Sequence, residues 1–223
     1  MAVLFAYFDE SGTNAQAPVL SVAAYYGTKE QWEKFERLWL PIGKDFHARC
    51  SSDLFPRLVE VMEQSEVEGV LCTVSKDDFK ACASAQFKSQ LGNAYAVATF
   101  SCAMAVCDAA KEKGIGSVSF VVEHGQPNVE FVKKVLESML DTGDTCIASV
   151  ASAKKSEFAE LHTADFAAHV ASAYKRSWLQ TLIDRCQLRH CHHQPETFVE
   201  VSAAVRKLIS LARKQRFVAK KNK

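Results

Sequence analysis

The sequence predicts an α/β fold in which helices flank a mixed sheet of five strands. Two stretches are typical of strands buried on both faces, because six apolar or aromatic residues run unbroken from Val3 to Phe8 and a similar run spans Val118–Val122. A second strand follows the first in a hairpin, whereas later strands alternate with helices. An antiparallel start followed by βα crossovers indicates a mixed sheet.

The individual elements follow from hydrophobic spacing and from turn residues. Strands are expected over 3–8, 19–26, 67–74, 118–123 and 145–150. A helical insertion after the second strand covers about 28–65; it begins at a capping box, Thr28–Gln31, and its first helix is expected to end at Pro41 and Gly43. Further helices are expected from 75, over 92–113, over 127–140, over 161–174 and over 195–216, and 186–194 is expected to be a loop.

Length and charge restrict the classes of function. A chain of 223 residues with 48% hydrophobic residues predicts a single domain, 1–223, with a sizeable core. A net charge of +1 provides no global field that would attract a polyanion. The basic segment at about 213–223 is interpreted as a solvated tail, with a nucleic-acid contact as the alternative.

The eight cysteines are expected to be reduced. The apolar run before Asp9 is too short for a signal segment or a membrane span, so we expect a cytoplasmic protein that does not enter a membrane. Cys186–His193 offers five soft ligands in eight residues but lacks the paired spacing of a zinc motif. We therefore favour a polar surface loop there and keep structural zinc as the alternative.

Acidic residues follow both buried strands. Asp9 and Glu10 precede a Ser-Gly turn, and Glu123 precedes His124 and a glycine. Open α/β sheets usually bind ligands at the carboxyl ends of their strands. If these two strands are neighbours, Asp9 and Glu123 lie close together, and a divalent cation would relieve their repulsion.

A third acid, Asp165, lies in a helix whose other residues are mostly apolar. His162, Asp165 and His169 are spaced so that they share one helix face. In the alternative interpretation, these three residues form a solvated stripe on an amphipathic helix. Because apolar residues flank Asp165 on both sides, there is little room for a broad wet face, and a buried acid needs a partner.

Together these motifs resemble the DUF3800 family, a group of bacterial and phage-associated proteins placed with the ribonuclease H-like fold. The resemblance covers about 3–173 and rests on three segments in order: Phe8-Asp9-Glu10-Ser11-Gly12, Val122-Glu123-His124-Gly125 and Leu161-His162-Thr163-Ala164-Asp165. It implies that Asp9, Glu123 and Asp165 bind Mg²⁺ or Mn²⁺ in a nuclease or phosphodiesterase acting on nucleic acid. It also implies that Glu10 and His47 are adjacent catalytic residues.

The chain also departs from the family pattern. His162 replaces a frequent glutamine, and Cys50 stands where relatives often carry an acid, for which Asp45 or Asp53 would have to compensate. His162, His169, His124 and Asp45 are therefore candidate accessory residues, and the first two would favour Mn²⁺.

These departures also support a rival function. In this alternative the chain is a non-catalytic module that binds nucleic acid or protein, in phage defence or a toxin-type system. In the nuclease interpretation, by contrast, Lys154, Lys155 and the basic tail are expected to help hold a phosphate backbone. Whether the chain forms a homo-oligomer is left open.

Overall fold

The computed structural model describes residues 2–14, 16–82, 93–124 and 146–193, together with single residues between 129 and 140. Its strands are, in chain order, β1 (Val3–Ser11), β2 (Val19–Gly27), β3 (Glu68–Ser75), β4 (Ser117–Glu123), β5 (Ile147–Ala153) and β6 (Leu188–His193). Its helices are α1 (Lys29–Gly43), α2 (Phe55–Ser65), α3 (Lys76–Cys82), α4 (Ala94–Glu112), α5 (Leu161–Ser172) and α6 (Arg176–Arg185), and a 3-10 turn, Ser52–Leu54, precedes α2.

The six strands form one mixed sheet in the order β5-β4-β1-β2-β3-β6. The strand β2 is antiparallel to both of its neighbours, β1 and β3, whereas β4 is parallel to β1 and to β5. The carboxyl ends of β1, β4 and β5 therefore lie side by side at one edge of the sheet. This is the edge at which the sequence places its acidic residues.

Helices cover both faces of the sheet. The Ala-rich α4 packs on one face, which is formed by residues such as Leu4, Phe8 and Val22. The opposite face, with Tyr7, Tyr25 and neighbouring residues, packs against α1, α2, α5 and α6. Because successive residues of a strand point to opposite faces, the central strands are apolar on both sides, as the unbroken runs in the sequence predicted.

The expected mixed sheet with flanking helices is confirmed, but the predicted strand count was one too low. Leu188–His193, expected to be a loop, pairs in parallel with β3 as an edge strand. Only its first and last residues are buried, so its sequence lacks the apolar run that identified the other strands. Helix α6 was also not predicted.

Between β2 and β3 lie α1 and α2, within the predicted insertion 28–65. Both bonds of the predicted capping box at Thr28 and Gln31 form. The helix α1 ends at Gly43, as predicted from Pro41 and Gly43, with Pro41 inside its last turn. A Cβ on Gly43 would lie 2.1 Å from the Trp39 indole, so this glycine gives the ring room to pack.

Several expectations fall outside the described residues. These are the terminal helix at 195–216, the basic segment at 213–223 and most of the helix at 127–140.

Candidate metal centre

The first part of the site is the carboxyl end of β1. Asp9 and Glu10 are almost fully buried there, with 1% and 6% of their surface exposed. The strand turns back at Gly12, whose φ of 81° favours glycine. A Cβ at Gly12 would lie 2.1 Å from the carbonyl oxygen of Val19, so the close return of the hairpin requires a residue without a side chain.

The neighbouring strand β4 brings a third carboxylate to the same place. Phe8 pairs with Val122, so the next residues along, Asp9 and Glu123, are adjacent. One carboxylate oxygen from each of Asp9, Glu10 and Glu123 lies within 4.8 Å of the others. The acids that end the two buried strands therefore meet, as the sequence predicted for neighbouring strands.

Asp165 approaches from α5, which packs over the sheet. Its Oδ2 accepts a hydrogen bond of 2.8 Å from the backbone N–H of Ala48, in the loop that follows α1. This bond fixes the carboxylate and joins the loop carrying His47 to the site. The other oxygen, Oδ1, has an ion-pair partner that Asp9 and Glu123 also contact.

That partner is Lys155. Its ammonium lies 2.7 Å from Asp9 Oδ2, 3.2 Å from Glu123 Oε1 and 3.2 Å from Asp165 Oδ1. The Lys155 side chain is only 16% exposed. A single cationic group thus bridges three acids that are far apart in the chain.

The position of Lys155 follows from the sheet. Ala153, the last residue of β5, pairs with Glu123. The carbonyl oxygen of Ala153 also accepts a hydrogen bond of 2.7 Å from the N–H of His124. The chain then turns at Lys154, whose N–H donates to Glu157 Oε2 at 3.0 Å. Lys155 consequently emerges beside the ends of β4 and β1. The expectation that it contacts a phosphate backbone does not fit this buried, ion-paired position.

Burial and mutual repulsion control the protonation of these acids. Burial raises the pKa of Asp9 well above its ordinary value, and Glu123 and Asp165 raise it further, against the opposing effect of Lys155. Burial also raises the pKa of Glu10 to about 8. Burial alone would lower the pKa of Lys155, but Asp9 and Asp165 outweigh it and raise the pKa.

Glu10 differs from the other acids because Lys155 does not contact it within ion-pair distance. The Tyr95 hydroxyl of α4 faces its carboxyl group, but neither carboxyl oxygen forms a hydrogen bond of normal geometry with a described residue. A buried carboxyl group without such a bond is costly. A cation would satisfy it.

Behind Asp165 lies a buried histidine. The Nδ1 atom of His162 accepts a hydrogen bond of 2.9 Å from the Trp39 indole N–H, and the ring packs near Phe46. Burial lowers the pKa of His162 to about 4. This nitrogen is therefore occupied and not open to a metal ion.

The remaining candidate residues surround the acids at different distances. His47 is at the rim, where its Nδ1 lies 4.0 Å from Asp165 Oδ2 and its side chain is 56% exposed. His169 is partly buried near Phe55, and Asp45 and His124 are exposed. None of these four belongs to the close carboxylate group found among the described residues.

Within the segment Cys186–His193, which was expected to be a loop, Leu188–His193 forms the strand β6. His190 and His192 both contact the Thr73 hydroxyl, at 3.1 and 2.8 Å, while Cys191, which lies between them in the strand, points to the other face. Alternation thus keeps His190 and His192 on one face and places Cys191 on the other. Among the described residues, the one group suited to a metal is the acidic one at the end of β1.

The donor set fits a hard divalent ion. All the donors are carboxylate oxygens, which Mg²⁺ and Mn²⁺ prefer. Asp9, Glu10 and Glu123 form the close group that would hold such an ion. Asp165, the third ligand expected from the sequence, lies outside that group and is linked to Asp9 and Glu123 through Lys155.

Sequence reasoning missed two parts of this arrangement. The Ala48 N–H has no signature in the sequence. Lys155 did have such a signature, because it follows β5, whose carboxyl end lies beside those of β1 and β4. The strand was expected to end at Val150, five residues before Lys155, so the sequence did not place this lysine near a strand end.

A comparison with solved structures finds a chain in the structure of the PCNA:RNase HII complex from Archaeoglobus fulgidus. The two chains are 16% identical with a TM-score of 0.48, and the match covers 81% of this chain and 78% of that chain. No family model and no curated protein matches the sequence. None of the described helices has the length and apolar character needed to cross a membrane.

Proposed function

We propose that this chain is a metal-dependent nuclease or phosphodiesterase of the ribonuclease H-like type and a member of the DUF3800 family. The observation that carries the proposal is the convergence of Asp9, Glu123 and Asp165 around one cationic group. Three carboxylates from two strands and a helix are costly to bury together unless they bind a cation. Nucleic acid is the proposed substrate, with Mg²⁺ or Mn²⁺ as the cofactor.

Each residue has a role in this proposal. Asp9, Glu123 and Asp165 hold the metal, and Glu10 supplies a further carboxylate at its side. When bound, the metal would supply an activated water and stabilise the leaving oxygen of a phosphodiester. The Ala48 N–H keeps Asp165 oriented, which fixes where the metal is held.

His47 is suited to moving a proton at the rim of the site. Its Nδ1 accepts a hydrogen bond of 3.2 Å from the Arg49 N–H, so the neutral ring carries its proton on Nε2. Its exposed side chain lies beside Asp165, within reach of a substrate that approaches from solvent. His47 is therefore the proposed acid or base, and the buried His162 supports the site from behind.

The test is cleavage of labelled single-stranded and double-stranded DNA, RNA and hybrids with Mg²⁺ or Mn²⁺. The variant Asp9→Asn removes one metal ligand at nearly constant volume, and we expect it to lower the cleavage rate by about 100-fold or more. The matched control is Asp108→Asn, on the exposed surface of α4, which should cleave like the wild type. Equal cleavage by Asp9→Asn, or no cleavage by the wild type, would overturn the proposal.

A non-catalytic binding module is the second candidate, and Lys155 is the observation that favours it. A cation supplied by the protein neutralises part of the acidic cluster without a metal. Calorimetry separates the two functions. A binding module should hold a nucleic acid equally well with EDTA or with Mg²⁺, whereas a nuclease site should bind the metal itself.

A further inference from the structure

We propose that Lys155 is a displaceable internal cation: its ammonium occupies the place of a divalent metal, and metal binding moves it out of the site. This inference rests on the proposed function, since it concerns the same three acids. It adds a step that the metal site itself does not require, namely competition between a residue of the chain and the cofactor.

The contacts of Lys155 are those of a substitute ion. Its Nζ lies within 3.2 Å of oxygens from Asp9, Glu123 and Asp165. Asp9 and Glu123 belong both to the close carboxylate group suited to a metal and to the contacts of Lys155. A divalent ion bound by these carboxylates would repel the ammonium that now contacts them, so the ammonium leaves when the metal enters.

The acids need a cation in either state. Glu10 is a second indication, because its buried carboxyl oxygens lack a hydrogen bond to any described residue and Lys155 does not contact them within ion-pair distance. The ammonium thus neutralises part of the cluster and leaves Glu10 unsatisfied. A doubly charged ion suits the full set of acids better than a single ammonium.

Lys155 is also placed so that it can leave. It lies on the turn between β5 and α5, not within either element. Lysine carries its charge on a flexible stem of four carbons, so the head group can swing to solvent while the backbone stays in place. Lys154, the preceding residue, is already exposed.

The first experiment measures Mn²⁺ binding by calorimetry in the wild type, in Lys155→Met and in the control Lys154→Met. Removing a competing cation should tighten Mn²⁺ binding about tenfold in Lys155→Met, in the usual range for coupled sites. Lys154→Met should bind like the wild type. Without metal, Lys155→Met should unfold at a lower urea concentration, and saturating Mn²⁺ should restore more of its stability than of the wild type's.

A second measurement needs no variant, in case Lys155→Met does not fold. An amine-acetylating reagent is applied to the wild type with and without Mn²⁺, and the modification of Lys155 relative to Lys154 is read by fragment mass spectrometry. Displacement predicts that Mn²⁺ makes Lys155 react several times faster while Lys154 is unchanged.

The outcomes separate this inference from the proposed function. Equal or weaker Mn²⁺ binding by a folded Lys155→Met, or unchanged modification of Lys155 while the wild type binds Mn²⁺, would overturn displacement and leave the metal site standing. If neither protein binds Mn²⁺, the proposed function fails and the inference fails with it.

Discussion

The indole N–H of Trp39 donates a hydrogen bond of 2.9 Å to Nδ1 of His162, and both side chains are buried. The bond joins α1 to α5 behind Asp165. It requires an imidazole whose Nδ1 is free of a proton, because a protonated Nδ1 would have to donate. This contact therefore couples the support of the site to the protonation of one histidine.

Substitution of His162 by glutamine should make the protein more resistant to acid. Burial lowers the pKa of His162 to about 4 from an ordinary value near 6.5, while Lys155 and His47 lower it further and Asp165 opposes them. Below pH 6.5 the unfolded chain takes up a proton that the folded chain refuses, so stability is lost as the pH falls towards 4. In urea unfolding with EDTA, His162→Gln should avoid up to about 3 kcal/mol of that loss.

Glutamine is the informative replacement because its side-chain oxygen can still accept the Trp39 N–H. The variant should therefore match the wild type at pH 7 to within about 1 kcal/mol. The control is His124→Gln at an exposed histidine, which should follow the wild type across the whole range. If His162→Gln loses as much stability on acidification as the wild type does, His162 is not held neutral.

Glu160, in the turn before α5, should have the opposite pH dependence. Burial raises its pKa to about 7, and Glu36 contributes, against the opposing hydrogen bond from Tyr7. The folded chain keeps a proton that the unfolded chain releases, so this stabilisation is full below about pH 4.5 and lost as the pH rises through 7. Relative to the wild type, Glu160→Gln should gain about 2–3 kcal/mol between pH 5 and pH 8.

Urea unfolding at pH 5, 6, 7 and 8 measures this difference directly. Glu33→Gln is the matched control, since Glu33 is 59% exposed on α1. Its stability should run parallel to that of the wild type. A Glu160→Gln curve that also runs parallel would show that Glu160 is ionised in the folded protein at neutral pH.

Gly12 and Gly114 allow a paired test of the hairpin that carries Asp9 and Glu10. Both have a positive φ, of 81° and 68°, but a Cβ at Gly12 would meet the Val19 carbonyl, whereas one at Gly114 would meet nothing within 4 Å. Gly114→Ala should cost about 1 kcal/mol for the backbone conformation alone. Gly12→Ala should cost about 2 kcal/mol more, because the hairpin must open.

Opening the hairpin also moves the two acids that precede Gly12. We therefore expect Gly12→Ala to bind Mn²⁺ about tenfold more weakly even where it remains folded, since a metal site tolerates little displacement of its ligands. Gly114→Ala should bind Mn²⁺ normally. Equal stability and equal affinity in the two variants would contradict the close approach at Val19.

How far the sequence predicts this protein depends on what each element buries. The strand β1 was evident because Val3–Phe8 packs against helices on both faces and carries no polar residue. The edge strand β6 has mostly exposed side chains, so its residues show no apolar run and its pairing depends on β3. Tertiary contact, not local pattern, makes Leu188–His193 a strand.

The candidate site also contains residues that a local pattern predicts and residues that only tertiary contact reveals. Asp165 stood out because a single acid in an apolar helix face requires a partner, and the structure supplies one in Lys155. That Lys155 is the partner could not be predicted from the sequence. It lies among the acids because β5 is next to β4 in the sheet, and no local pattern reveals this strand order. Gly43 does end α1, as predicted, but the room that it leaves for the Trp39 ring is a tertiary contact that the local pattern does not show.

The role proposed for His47 can be tested separately from metal binding. Its side chain is exposed and lies 4.0 Å from Asp165, which is too far for a strong ion pair but close enough for it to face a substrate held at the acids. His47→Ala should lower kcat for cleavage by about 100-fold, the usual contribution of an acid or base. Its Mn²⁺ affinity should stay within about threefold of the wild type, because imidazole is not among the proposed ligands.

Added imidazole provides the discriminating readout. If His47 moves a proton, free imidazole can enter the space left by His47→Ala and restore part of the rate, in proportion to its concentration. The same imidazole should not restore Asp9→Asn, in which a metal ligand is missing. A structural role for His47 would instead produce a variant that imidazole leaves unchanged and that also binds Mn²⁺ poorly, because the loop holding Ala48 against Asp165 would have moved.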